Sequence, residues 1–113
     1  MPHLIIEYSD SVEKKHSVDA LMMACHEAAT KSGQFTENDI KVRAYPCRKS
    51  LIAGRAKPFL HVIVKLLSGR SPEIKKALTA MIAEALSAIG VSVSSLTVEA
   101  VDIERESYSK IAL

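Results

Sequence analysis

The sequence predicts an α+β fold in which two β-α-β units form one four-stranded mixed sheet with two helices on one face. Short β-branched runs alternate with two long helical patterns, and the order β-α-β occurs twice in segments of similar length. A loop rich in proline and basic residues separates the two halves. Strand-helix-strand units are joined by right-handed parallel crossovers, so both helices should lie on one side of the sheet. At 113 residues, the chain is expected to be a single domain, residues 1–113.

The amino-terminal unit contains two predicted strands around one helix. Residues 2–8 are a short apolar run that predicts a buried strand. The helix that follows has Ser17 as its N-cap and Gly33 at the left-handed position that ends helices. The stretch "DIKVRAY", residues 39–45, alternates apolar and polar side chains. This alternation predicts a second strand with Arg43 at its end, on the polar side.

The segment between the units, residues 46–58, reads "PCRKSLIAGRAKP" and is expected to be a surface loop. The run "FLHVIVKLL" after it predicts a strand that is covered on both faces. Ser71 is the predicted N-cap of the second helix and Gly90 its terminator. The predicted buried stripe of this helix consists of Ile74, Leu78, Met81, Ile82, Ala85 and Ile89. A last strand is predicted over residues 96–103, and we expect oligomerisation to cover the free face of the sheet.

Composition argues against several classes of partner. The net charge of +2 is too small to indicate a nucleic-acid-binding protein. No apolar run approaches the ~18 residues that a membrane span needs. Cys25 and Cys47 are expected to be free thiols in a cytoplasmic protein. His3 and His61 each lie on a strand without other ligands at metal-binding spacing, so no metal site is expected.

Three stretches point to a known family. They are "PHLIIEYSD" after Met1, Arg43 on the second strand, and "FLHVIVKLLSGRS" over residues 59–71. Together they resemble the 5-carboxymethyl-2-hydroxymuconate delta-isomerases of the tautomerase superfamily, and the likeness runs along nearly the whole chain. The resemblance implies a tautomerase-like homotrimer without metal or organic cofactor. It also implies that Pro2 is the acid-base group and that the substrate is a small anion, a 2-hydroxymuconate converted to its conjugated 2-oxo isomer.

Physical chemistry supports a role for three residues. If Met1 is removed, Pro2 has a free amine whose pKa starts near ~7.7–8.0 and falls with burial or a neighbouring cation. Arg43 could bind a carboxylate through two parallel hydrogen bonds and offset the charge of an enolate. Arg70 precedes the N-cap of the second helix, where anions are favoured. We therefore predict Pro2 as the catalytic residue, with Arg43 and Arg70 as substrate-binding residues.

Other interpretations compete with this one. A proline is tolerated at the first position of a strand without any chemistry, and both arginines could be solvated surface charges. The same topology occurs in ferredoxin-like regulatory domains, which could bind a small anion without catalysis. A nucleic-acid binder that uses the basic residues of the segment 46–58 would lose affinity steeply with salt. The loop cations could also attract an anionic substrate or be merely solvated.

Overall fold

The computed structural model describes residues 1–113, and its elements follow the predicted order. The strands are β1 (His3–Ser9), β2 (Lys41–Cys47), β3 (Phe59–Leu67) and β4 (Ser95–Ile103), and the helices are α1 (Val18–Lys31) and α2 (Pro72–Ile89). The sheet has the order β2-β1-β3-β4. β1 runs parallel to β2 and β3 parallel to β4, whereas β1 and β3 are antiparallel. The predicted mixed sheet of two β-α-β units is therefore confirmed.

The helix ends are fixed by residues next to them in sequence. The hydroxyl oxygens of Ser17 and Ser71 each accept a hydrogen bond of 3.2 Å from the main-chain N–H three residues later. Gly90 ends α2 with a φ of +79°, and Gly33 follows α1 with a φ of +73°. Both glycines adopt the left-handed conformation that terminates a helix. Neither helix has the length and apolarity needed to cross a membrane.

The core lies between the two helices and one face of the sheet. Alternate residues of β1 and β3 are completely buried there: Leu4, Ile6, Leu60, Val62, Val64 and Leu66. Each such side chain contributes roughly 1.5–3 kcal/mol of transfer free energy. The predicted stripe of α2 was partly wrong, because Leu86 is buried while Ile74 and Ile89 are 37% and 42% exposed. Leu78, Ile82 and Leu86, four residues apart, form one line against the core.

The opposite face of the sheet, which we call the open face, carries mixed side chains. The strand register places His3, Ile5 and Glu7 of β1 beside Lys65, Ile63 and His61 of β3. His61 is hydrogen-bonded to Thr97 and Glu99 of β4, at 2.6 and 2.5 Å. Within this chain β3 is covered only on its helix-facing side, and the expected cover of its open face by oligomerisation stays a prediction. Its helix-facing side is apolar, and its other side alternates apolar with polar residues.

Strand β2 forms one edge of the sheet and differs from its predicted bounds. It begins at Lys41 and continues to Cys47, so Pro46 belongs to the strand rather than to the loop. An edge strand tolerates proline because it needs ladder donors on one side only. Arg43 lies inside β2, opposite Ile5 of β1, and not at the end of the strand. Its side chain consequently projects from the open face.

Candidate functional site

A pocket of about 340 Å³ lies at the start of β1. It is lined by Met1, by the segment after α1, by the turn before α2 and by the carboxyl-terminal segment of the chain. Pro2 directly follows Met1 in the chain and is fully buried. Its carbonyl accepts a hydrogen bond of 3.1 Å from the Lys41 N–H, which fixes the start of the sheet. The Met1–Pro2 peptide bond is thus held at the pocket.

Arg70 is held rigidly at one side of this pocket. Its guanidinium donates three hydrogen bonds: to the main-chain oxygen of Gln34 at 2.7 Å, to the side-chain oxygen of Gln34 at 3.1 Å and to the Leu67 oxygen at 3.3 Å. It also lies over the Phe35 ring, 4.9 Å from its centre. A guanidinium has five N–H groups. Two of them therefore make no hydrogen bond within the chain, and no carboxylate of the chain pairs with this cation.

The carboxyl-terminal segment supplies three residues that the sequence did not indicate. Arg105 donates through Nε to the Ser68 oxygen at 2.6 Å, and Lys110 bonds to Asp39 at 2.8 Å. Tyr108 lies between them in sequence and lines the same pocket. Ser68 precedes Gly69, whose φ of +125° is one that a residue with a side chain rarely adopts. The turn before α2 thus presents a carbonyl to Arg105, and this brings the segment to the pocket.

The charges around the pocket favour a neutral amine. Burial lowers the pKa of the amino terminus, and Lys41, Lys110 and Arg70 lower it further, while Asp39 opposes them. The hydrogen bond from Lys110 in turn lowers the pKa of Asp39. Because Lys110 is paired with Asp39, the two guanidinium groups of Arg70 and Arg105 are the pocket cations without a carboxylate partner. The arrangement can accept an anion with more than one carboxylate.

The structure brings two of the three predicted site residues to this pocket. Arg70 lines it, and Pro2 lies directly behind Met1. Arg43 does not line the pocket, because its Nη1 donates to Nδ1 of His3 at 3.0 Å on the open face. The catalytic role of Pro2 and the substrate-binding roles of Arg43 and Arg70 remain predictions.

Two other ionisable groups lie in the core, away from the pocket. Burial raises the pKa of the Cys25 thiol to about 12. Burial and a hydrogen bond to Glu13 raise the pKa of Tyr8 to about 12 as well. Both groups are therefore protonated at neutral pH, and neither can serve as a general base there.

Several solved structures superpose on nearly the whole of this chain. A crystal structure of 5-carboxymethyl-2-hydroxymuconate delta-isomerase superposes with a TM-score of 0.83, at 22% identity, over 99% of this chain and 88% of the other. A 5-carboxymethyl-2-hydroxymuconate isomerase from Deinococcus radiodurans gives 0.77 at 22% identity, over 97% and 88%. A fused 4-OT wild-type asymmetric trimer gives 0.76 at 19% identity, over 96% and 91%. These similarities establish the tautomerase-type fold.

Sequence comparison adds the family. No curated protein matches the chain. The family model of 5-carboxymethyl-2-hydroxymuconate isomerase, however, matches residues 2–108, which is nearly the whole chain. The chain therefore belongs to the 5-carboxymethyl-2-hydroxymuconate isomerase family and is a tautomerase-type isomerase.

Proposed function

We propose that this protein converts 5-carboxymethyl-2-hydroxymuconate, or a similar 2-hydroxydienoate, to its conjugated 2-oxo isomer without a cofactor. The observation that carries the proposal is the pocket at the amino terminus, which is lined by Met1 and by two guanidinium groups without carboxylate partners. Loss of Met1 frees the amine of Pro2 and vacates the space that Met1 now fills. Family membership supports the same reaction class.

Pro2 acts as the proton carrier in this proposal. Its neutral nitrogen takes the proton of the 2-hydroxyl group, the oxygen lone pair forms the C=O bond, and the electrons of the diene shift along the chain. The protonated Pro2 then delivers the same proton to the far carbon of the diene, so atoms and charge balance. Burial and the cations Lys41, Lys110 and Arg70 lower the pKa of the amino terminus at Met1, against an opposing effect of Asp39. In this proposal the same causes act on the Pro2 amine once Met1 is removed. A pKa near the operating pH suits a group that is first base and then acid.

Arg70 binds a substrate carboxylate in this proposal, and Arg105 binds a second one. Three contacts to Gln34 and Leu67 fix the Arg70 guanidinium before substrate arrives. A cation that is already ordered loses little conformational entropy on binding. It also offsets the negative charge that grows on the substrate oxygen when Pro2 takes the proton.

The proposed assembly is a homotrimer in the cytoplasm. Structural neighbours include fused 4-OT trimers, both asymmetric and symmetric. Ile5 and Ile63 lie side by side in the middle of the open face, among charged residues. Packing of this face against other subunits would cover both isoleucines, and it would place residues of a neighbour near the pocket. The free thiols of Cys25 and Cys47 are compatible with a reducing compartment.

The test is an ultraviolet time course of 5-carboxymethyl-2-hydroxymuconate with protein whose intact mass shows that Met1 is absent. We expect conversion to the conjugated ketone far above the buffer rate. Pro2→Ala, which leaves a primary amine, should lower kcat by roughly 10²–10⁴ because the proton carrier is displaced. Its circular dichroism and thermal unfolding should match those of the parent.

Protein that retains Met1 is the matched control, because it has the same sequence but its Pro2 nitrogen is an amide. This form should be inactive. No acceleration by the Met1-free parent would refute the proposed substrate class. An unchanged kcat in Pro2→Ala would remove Pro2 from the mechanism.

A further inference from the structure

Three side chains form a hydrogen-bonded chain between the open face of the sheet and the pocket. Nη1 of Arg43 is 3.0 Å from Nδ1 of His3, and Nε2 of His3 is 3.0 Å from the hydroxyl oxygen of Tyr108. The rings of His3 and Tyr108 meet edge to face, with centres 6.1 Å apart. The first and last members belong to β2 and the carboxyl-terminal segment, so β1 connects two distant parts of the sequence.

The direction of each hydrogen bond follows from the chemistry of the groups. A guanidinium can only donate, so Nδ1 of His3 must accept from Arg43. A neutral imidazole with a free lone pair on Nδ1 carries its proton on Nε2. That proton points to Tyr108, whose oxygen accepts it. Burial, and then Arg43, Lys41, the amino terminus and Lys65, lower the pKa of His3, which keeps the ring neutral.

This direction leaves the hydroxyl proton of Tyr108 available. Its oxygen accepts from His3, and the hydroxyl makes no other hydrogen bond within the chain. Tyr108 also lines the pocket at Met1. The Arg43 cation polarises the His3 ring, and the N–H of this ring in turn polarises the Tyr108 hydroxyl. The hydroxyl thereby becomes a stronger hydrogen-bond donor.

We propose that Tyr108 donates a hydrogen bond to the oxygen at the substrate's C2, and that His3 and Arg43 are positioning residues that orient this hydroxyl. The inference rests on the proposed function, since it names a further group for the same pocket. That oxygen gains electron density when its proton leaves for the Pro2 amine. A donor aimed at it stabilises the enolate as well as the ketone product. Arg43 then acts on the site through His3 rather than by touching the substrate.

A pair of ligands isolates this single contact. 2-Oxoadipate and adipate have the same chain length and the same two carboxylates, and they differ only in the oxygen at C2. We would measure the Kd of both by titration calorimetry for the parent and for Tyr108→Phe, each verified by mass to lack Met1. We expect Tyr108→Phe to raise the Kd of 2-oxoadipate by about tenfold, which corresponds to the loss of one hydrogen bond. The Kd of adipate should change by no more than about twofold.

Variants of His3 test the positioning role. His3→Leu cannot link Arg43 to Tyr108, so it should lower the affinity ratio of 2-oxoadipate to adipate as Tyr108→Phe does. It should add no further loss in the Tyr108→Phe background. His3→Gln carries an acceptor and a donor on one side chain, and it should restore part of the ratio. A merely structural role would lower the affinity for both ligands in parallel.

Several results would overturn the inference: an unchanged ratio in Tyr108→Phe, equal losses for both ligands, or a parent that binds neither of them. The isomerisation assay separates these from failure of the proposed function. If the parent does not isomerise the dienol but its ligand ratio depends on Tyr108, the proposed function fails and the contact stands. If the parent isomerises the dienol and Tyr108→Phe leaves the affinity ratio of the two ligands unchanged, only the inference fails.

Discussion

Basic side chains surround both ends of β1, but the two ends hold them differently. At the start, Arg70 and Arg105 donate to main-chain oxygens of the neighbouring turns. At the end lies the segment 48–58, which we call the basic loop. Its four cations, Arg48, Lys49, Arg55 and Lys57, make no side-chain hydrogen bond or ion pair. A cation fixed by the main chain can bind a carboxylate at one defined place, whereas a free cation contributes mainly to the surrounding field.

Cavity size alone would favour the end of β1 rather than its start. A cavity of about 710 Å³ lies beside the basic loop, against about 340 Å³ at the start of β1. Its lining is exposed, however, and includes Leu51, which is 68% accessible. The loop is ordered through its main chain, where Ile52 and Arg55 exchange two hydrogen bonds of 2.8 and 3.0 Å. That turn orders the backbone but leaves the cationic side chains unsupported.

The largest difference between the two ends should appear on removing one arginine from each. Arg70→Ala deletes a fixed guanidinium and should lower kcat/KM by about 10- to 150-fold, the loss expected for charge-assisted hydrogen bonds of ~1.5–3 kcal/mol. Arg55→Ala removes the same charge from the basic loop and should leave kcat/KM within about twofold. Steady-state kinetics with the dienol substrate measure both.

Arg70 also ties Gln34 to the turn before α2, so its loss could act through the fold. Arg70→Lys keeps the charge but lacks the planar guanidinium, so its kcat/KM should lie between those of Arg70→Ala and the parent. Thermal unfolding of each variant separates folding from binding. Equal effects of Arg70→Ala and Arg55→Ala on kcat/KM would contradict the distinction between fixed and free cations.

A smaller effect concerns stability at the start of β1. The pKa of His3 is lowered in the folded state, first by burial and then by Arg43. As the pH falls, His3 therefore binds a proton near pH ~6.5 in the unfolded chain, but only at a lower pH in the folded chain. The free energy of unfolding should therefore not depend on His3 titration above about pH 7. It should decrease as the pH falls through ~6.5 toward the pKa of His3 in the folded chain.

Urea unfolding of the parent and of His3→Gln at pH 7.5 and pH 5 measures this contribution. The parent should lose more stability than the variant between the two pH values. All other titratable side chains, including the other three histidines, are present in both proteins, so the difference reports on His3. Identical pH dependence of the two proteins would contradict the neutral-ring assignment.

The sequence predicted the parts of this molecule that depend on neighbouring residues. Ser17 and Ser71 bond to amides three residues away, and the left-handed glycines lie one or two residues beyond the helix ends. The apolar runs of β1 and β3 likewise predicted two strands, although they did not distinguish the helix-facing side of β3 from its open face. These signals are local, so the two β-α-β units and their mixed sheet could be predicted.

The pocket could be predicted only in part, because it forms from segments far apart in the chain. Arg105 bonds to Ser68 and Lys110 to Asp39, over 37 and 71 residues. No periodicity after the last strand indicated that Tyr108 returns to the amino terminus. Arg43 illustrates the same limit. Its presence on a strand was clear, but its partner His3 depends on the register between β1 and β2.

The smallest effect should come from neutralising the whole basic loop. Replacing Arg48, Lys49, Arg55 and Lys57 by Gln removes four positive charges that no contact holds. We expect kcat to stay unchanged and kcat/KM to fall by less than about threefold at low ionic strength, because only the long-range attraction of the anionic substrate is lost. The difference from the parent should vanish near 0.5 M NaCl, where screening acts over only a few ångströms. A loss that persists at high salt, or a lower kcat, would mean that the loop contacts the substrate directly, and the two ends of β1 would then share one site.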